Sequence, residues 1–313
     1  MMLRQPVSDS LSEAQNILLA GCGGGYDILG AVPLIVEMAG KAKSFTIASL
    51  SFTRLDRVPG HTPVETMPHL YVAQPAAASE EHYCPEAWLS RWLSDRYGYE
   101  MPIWCFDNVG VVPLRRAYEY LIREHSIDTI VLIDGGVDSL LRGDETSLGT
   151  PVEDFASLAA VDALDVPRKL LACVGFGAEL RDGICHAQVL DRIAQLASLG
   201  GWLGAWPLLA QTEAGKAYEE ASAFIAQHQT SQRGSHIHTV IAQSIAGRFG
   251  ATAAHVWLSP LAPLFWFFDL TLVARTNLLL PHIQNSESLW DIAAAIEGVR
   301  KTIAVRAAST IPL

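Results

Sequence analysis

The sequence predicts an α/β protein with a Rossmann-like, doubly wound, mainly parallel sheet, helices on both faces and a helical C-terminal portion. Three observations carry that expectation. The run Thr129–Ile133 is apolar and β-branched without polar alternation, as suits a strand covered on both faces. Apolar runs alternate with segments of helical periodicity over most of the chain. Glycines and acids cluster directly behind the strands, at Gly21–Asp27, Asp134–Glu145 and Gly175–Glu179, where open α/β sheets bind ligands.

Residues 1–15 are polar and read as a loose arm, leaving 16–313 as a single α/β domain. Asn16–Ala20 predicts the first strand, Gly21–Asp27 (GCGGGYD) a glycine loop, and an apolar helical pattern runs to about Lys43. Pro33 would break a helix begun at Asp27 but suits the first turn of one begun near Gly30. Ser44–Phe52 follows as a strand, so the unit should be a right-handed crossover. Residues 54–86, rich in Pro, Ala and His, predict only a short strand, Leu70–Ala73. Pro85–Tyr97 reads as a helix with Trp88, Leu89, Trp92 and Leu93 on one face, Pro102–Phe106 as a strand, and Val112–His125 as an amphipathic helix.

The strand Thr129–Ile133 ends on Asp134, and Gly135-Gly136 turns the chain. Asp138, Asp144 and Glu145 follow before a helix start: Thr150 as N-cap, Pro151 at the first position, Glu153 completing a T-x-x-E capping box. Lys169–Val174 is the next strand. Residues 185–250 read as mainly helical with breaks at Gly200-Gly201 and Gly234, His255–Leu258 as a last strand, and Ser288–Ile303 as a closing helix.

Half of the residues are hydrophobic and 18% are charged, the composition of a compact chain with a large core. A net charge of −11 argues against nucleic acid or an anionic membrane surface as partner. Five cysteines without close pairing suit reduced thiols in a cytoplasmic protein. The first fifteen residues lack the apolar core of a signal peptide. The most hydrophobic segment, Val256–Ala274, is interrupted by Pro260, Pro263 and Asp269 and reads as buried core rather than a membrane span.

The first glycine loop has Gly21-x-Gly23 of a dinucleotide fingerprint, but Tyr26 stands at the third glycine position. The strand after it ends in Ser51-Phe52-Thr53-Arg54, with no acid for a ribose hydroxyl and no P-loop lysine. Four glycines in five positions exceed what a turn needs, which favours contact of Gly23, Gly24 and Gly25 with a phosphate. Asp27 reads as a helix cap or as a ligand-facing acid. Asp134-Gly-Gly-Val-Asp138-Ser139 resembles the SGGxDS loop of ATP pyrophosphatases, but with Asp where that loop needs Ser to meet pyrophosphate. Carboxylates in such a loop suit Mg²⁺, which takes one or two of them together with substrate phosphates.

Four stretches together resemble an uncharacterised family, domain of unknown function 1152: GCGGGYDILGAVP at 21–33, DGGVDSLLRGDE with LGTPVED at 134–154, GFGAEL at 175–180, and LSPLAP with FWFFDL at 258–270. The resemblance spans most of the chain in that order. It implies an α/β fold with its glycine and acid motifs gathered at one edge, and implies no activity.

The residues themselves point to an enzyme acting on a phosphorylated small molecule or nucleotide, a transferase or hydrolase assisted by Mg²⁺. Gly23, Gly24, Gly25, Asp27, Gly135 and Gly136 would meet the ligand, and Asp134, Asp138 and Glu145 the metal. Glu179 would act as general base, with Asp138 and His186 as further acid–base candidates. The same loops would also serve a non-catalytic nucleotide- or metabolite-binding regulator; a nicotinamide oxidoreductase stands third because its fingerprint is incomplete. Trp257 and Phe265–Phe268 exceed what one face can bury, and the tail from Ala304 is apolar, so a homodimer or higher closed oligomer is expected through this region or the tail.

Overall fold

The computed structural model describes residues 5–39, 41, 43–98, 100–229, 234–252 and 256–311. Its strands, in chain order, are β1 (Asn16–Gly21), β2 (Ser44–Leu50), β3 (His61–Pro63), β4 (Leu70–Ala73), β5 (Ile103–Phe106) and β6 (Thr129–Asp134). They continue with β7 (Arg168–Cys173), β8 (Trp202–Pro207), β9 (Gly250–Ala251), β10 (Trp257–Leu258) and β11 (Leu264–Asp269). Nine of them form one sheet in the order β3-β4-β5-β2-β1-β6-β7-β11-β8, while β9 and β10 pair separately. The five central strands, β5 to β7 in that order, are mutually parallel. Two antiparallel strands flank them on each side. This is the expected α/β fold, Rossmann-like at its centre.

Every position of β6 is buried, which explains its unbroken apolar run. Alternate side chains go to opposite faces. Leu18, Ile130, Leu132 and Leu171 join one core, beneath the helices Val111–His125, Pro151–Asp162 and Leu289–Arg300. Ile17, Leu19, Val131 and Ile133 join the other, beneath Pro6–Glu13, Ala31–Met38, Pro85–Tyr97 and Glu213–His228. The sheet is doubly wound.

The aromatic run obeys the same alternation. Trp266 and Phe268 enter the first core, Phe265 and Phe267 the second, and all four are buried within one chain. The tail is likewise occupied: Arg306 pairs with Asp144, Glu145 and Asp191 at 2.8–3.1 Å, and Ala307 accepts a hydrogen bond from Gln188. The four aromatics are thus covered without a second subunit, while Trp257, Val305 and Ile311 stay 38%, 45% and 41% exposed.

Other expectations are corrected. The N-terminal arm contains a helix, Pro6–Glu13, because Val7 and Leu11 stand one turn apart and bury together. The Gln5 amide before it donates to the Ala205 carbonyl on the outer strand β8. The stretch 185–250 is interrupted by that strand. Residues 54–86 hold β3 as well as the expected β4. The strand expected at His255–Leu258 shrinks to β10, residues 253–255 lying outside the described ones, and the long late strand is β11. Among the described residues no helix is long and apolar enough to cross a membrane.

Phe267 is fully buried between two strands while Trp290 is 84% exposed. Phe267→Ala should therefore lower stability by about 3–5 kcal/mol in denaturant unfolding, and Trp290→Ala by no more than about 0.5 kcal/mol. Equal losses would contradict this placement of the core.

Candidate functional site

The chain runs outward from β1 through β2 to β5, then returns to the other side of β1 to lay down β6 and β7. The winding direction thus reverses between β1 and β6. At such a switch point the loops leaving two neighbouring strand ends part and leave a crevice. A cavity of about 340 Å³ opens here, lined by Asp27, Asp134, Asp138, Asp154 and Glu179 with Gly23, Gly24 and Gly25. A slightly larger cavity, about 390 Å³, lies between the helices Pro6–Glu13 and Ala31–Met38 and strand β8. Its wall is mostly apolar and brings no comparable set of acids together, so the crevice is the candidate site.

Each acid reaches the crevice from a different local device. Asp27 follows the glycine loop, and its Oδ2 accepts N–H bonds from Gly23 at 2.7 Å and Gly24 at 3.2 Å. Asp134 ends β6 and accepts from the amide and hydroxyl of Ser139, at 3.2 and 2.5 Å. Asp138 opens a 3₁₀ turn and accepts from the amide and hydroxyl of Thr150, at 2.8 and 3.1 Å. Glu179 follows β7 and accepts from the Val137 amide at 2.6 Å. Asp154 projects from the first turns of the helix Pro151–Asp162; it is 1% exposed, and its Oδ2 has no hydrogen-bond partner among the described residues.

The glycines are seats for these carboxylates. A Cβ on Gly23 would fall 2.0 Å from Asp154 Oδ1, on Gly135 2.8 Å from Asp27 Oδ1, and on Gly136 2.8 Å from the Glu179 carboxyl. Gly149, at φ +62°, would meet Asp138 Oδ2 at 2.4 Å. Gly24 instead carries the Phe52 ring, and Gly25 lies against Pro85 and Glu86. So the glycine loop admits side chains, and two of its N–H groups are already taken by Asp27. That arrangement speaks against a pyrophosphate cradle of the dinucleotide type at Gly23–Gly25.

Crowding of acids governs the electrostatics. Burial pushes the Asp27 carboxyl up to about 7, with the Gly23 N–H opposing and the Asp138 charge reinforcing the shift. Burial first, then the Asp138 charge and the other acids, raise Asp134, Asp154 and Glu179 well above the usual carboxylate range. Oxygens of Asp27, Asp134 and Asp154 all lie within 4.8 Å of one another, as the ligands of one metal ion do.

Of the residues expected from the sequence, Asp27, Asp134, Asp138, Glu179, Gly135 and Gly23–Gly25 converge on the crevice. Glu145 does not. Its carboxylate accepts the amides of Arg142 and Gly143 at 2.9 and 2.8 Å and meets Arg306, closing its own loop. His186 also stands apart: its ring packs on Phe176 at 5.0 Å, its Nε2 makes no hydrogen bond among the described residues, and burial holds its pKa down. Thr150 precedes the helix as expected but forms no capping box, because its hydroxyl is turned to Asp138.

Asp154 was not read as a ligand, since an acid in a first helical turn is ordinary there. Phe52, Tyr83, Arg181 and His236, which also line the crevice, carry no motif of their own. His236 Nε2 lies 3.2 Å from Asp182, while His238, two residues on, is buried behind the crevice with Nδ1 2.5 Å from the Tyr218 hydroxyl. Burial holds His238 down at about 4, so it stays neutral at pH 7.

The chain matches the family described as "Protein of unknown function (DUF1152)" over residues 18–303. No curated protein and no solved structure matches it.

Behind Gly25, Glu86 is fully buried and its Oε1 makes no hydrogen bond among the described residues. Burial raises its carboxyl from 4.5 to about 7, against the hydroxyls of Ser51 and Ser49. A raised acid stabilises the fold fully below its unfolded pKa, and that contribution is lost as pH climbs through the folded pKa. At ~1.4 kcal/mol per pKa unit, the Glu86→Gln variant should gain ~2–3 kcal/mol on wild type between pH 5 and pH 8 in denaturant unfolding. A pH-independent difference would show that Glu86 keeps an ordinary pKa.

Proposed function

We propose that the chain, which belongs to the DUF1152 family, is a divalent-cation-dependent enzyme that hydrolyses or transfers a phosphoryl-bearing small molecule. The observation that carries this reading is the Asp27–Asp134–Asp154 group, three carboxylates from three separate segments with oxygens within 4.8 Å. Like charges in a buried crevice need protons or a cation between them. The unpartnered Oδ2 of Asp154 supports the cation, and an all-oxygen donor set suits Mg²⁺ or Mn²⁺.

The same acids would repel a bare phosphate. A bound ion reverses that, drawing phosphate oxygens to the acids and offsetting the charge that builds up during transfer. Arg181, at the rim, and the neighbouring His236 add donors for the outer oxygens. Glu179, buried and raised in pKa, has the character of a general base that takes the proton from the attacking water or hydroxyl. Beyond burial, the Asp138 charge raises both Asp154 and Glu179 and so links the metal group to that base.

Titration calorimetry with Mn²⁺ tests the ion. Wild type should bind it saturably, and Asp154→Asn and Asp134→Asn at least ~10-fold more weakly. Glu179→Gln should retain Mn²⁺ while losing turnover of a phosphate ester such as p-nitrophenyl phosphate. Failure of wild type to bind Mn²⁺ at millimolar concentration would remove the basis of the proposal.

A further inference from the structure

We infer that Phe52 is a stacking platform for an aromatic base, which makes the phosphorylated substrate a nucleotide; this rests on reading the acids as a cation-assisted phosphate site. Phe52 stands two residues beyond β2, lines the acid crevice and is 48% exposed. Its ring is seated rather than dangling: a Cβ on Gly24 would meet ring atoms at 2.6, 3.2 and 3.3 Å, so only glycine lets the ring lie on the loop backbone. Tyr83, from a different segment, lines the same side of the crevice, with its ring 5.9 Å from that of Tyr26. The β2 side thus presents aromatic rings, while the acids lie at β1 and β6 and Arg181 follows β7.

The ring lies beside the acids: it rests on Gly24, whose N–H donates to Asp27 at 3.2 Å. A ligand that puts a phosphate at the acids and also covers the Phe52 ring must carry a planar group beside its phosphate-bearing part. A sugar phosphate alone brings no planar group to the ring. An exposed aromatic face beside the acids offers stacking, and it offers it to any base without reading its edges. The ligand class is a nucleoside monophosphate or a larger nucleotide.

The test is calorimetry with AMP and with ribose 5-phosphate, each with and without Mn²⁺, on wild type, Phe52→Ala and Phe52→Trp. Wild type should bind AMP more tightly than ribose 5-phosphate. Phe52→Ala should lose about tenfold or more of its AMP affinity with ribose 5-phosphate unchanged, and Phe52→Trp should keep the preference. Equal binding of the two ligands by wild type, or a preference that survives Phe52→Ala, overturns the platform. Phe52 is half-exposed, and unchanged melting temperatures would confirm intact folds. Absence of Mn²⁺ binding would instead overturn the cation-assisted reading, and adenosine against ribose, which carry no phosphate for the acids to repel, would then decide the role of Phe52.

Discussion

Repulsion among five carboxylates in one crevice is the constraint on which the surrounding structure depends. Four of the five are given private donors: Gly23 and Gly24 for Asp27, Ser139 for Asp134, Thr150 for Asp138, Val137 for Glu179. A hydrogen bond to a charged group contributes roughly 1.5–3 kcal/mol. Removing a carboxylate from water costs several kcal/mol even after relaxation. The donors orient the acids without neutralising them, and the raised pKa values express the remainder. Structure that holds an unfavourable charge arrangement in place is what makes this crevice the candidate site.

The glycines follow from that constraint. Carboxylates converging from four segments need room at the backbone, and the positions they press upon are Gly23, Gly135, Gly136 and Gly149. Thr150 is drawn into the same arrangement: its hydroxyl serves Asp138 instead of its own helix. Glu145 belongs to a separate task. Together with Asp144 and Arg306 it anchors the C-terminal tail, and Arg300 reaches the carbonyls of Gly143 and Glu145 from the closing helix.

Much of this was legible in the sequence because strand, glycine and acid lie side by side there. β1, β2, β6 and β7 are written as apolar runs, and Asp27, Asp134, Asp138 and Glu179 follow them within a few residues. Where proximity in sequence does not mean proximity in space, the same reasoning misled, as with Glu145. Asp154 was hidden by its setting in a helix start, where an acid has a sufficient local reason to exist. β8 was hidden by its composition: Trp202–Pro207 contains Gly204 and ends in proline, tolerable only in a strand at the margin of a sheet. The crevice rings and Arg181 obey no short-range rule; only the closing of the sheet brings them together.

The position of β11 has a consequence for how the molecule comes into being. β8 is made some sixty residues before β11, yet β11 is its partner in the sheet and stands between it and β7. During synthesis the parallel centre can assemble as soon as β7 has emerged, while β8 must wait, held only by local helices and by Gln5 reaching across from the start of the chain. This half of the sheet can be completed only once β11, with its two aromatic faces, has been made. Long-range pairings of this kind close slowly and leave apolar surface uncovered in the interval. The nascent chain is most exposed to misassembly at this margin of the sheet, away from the crevice that carries the acids.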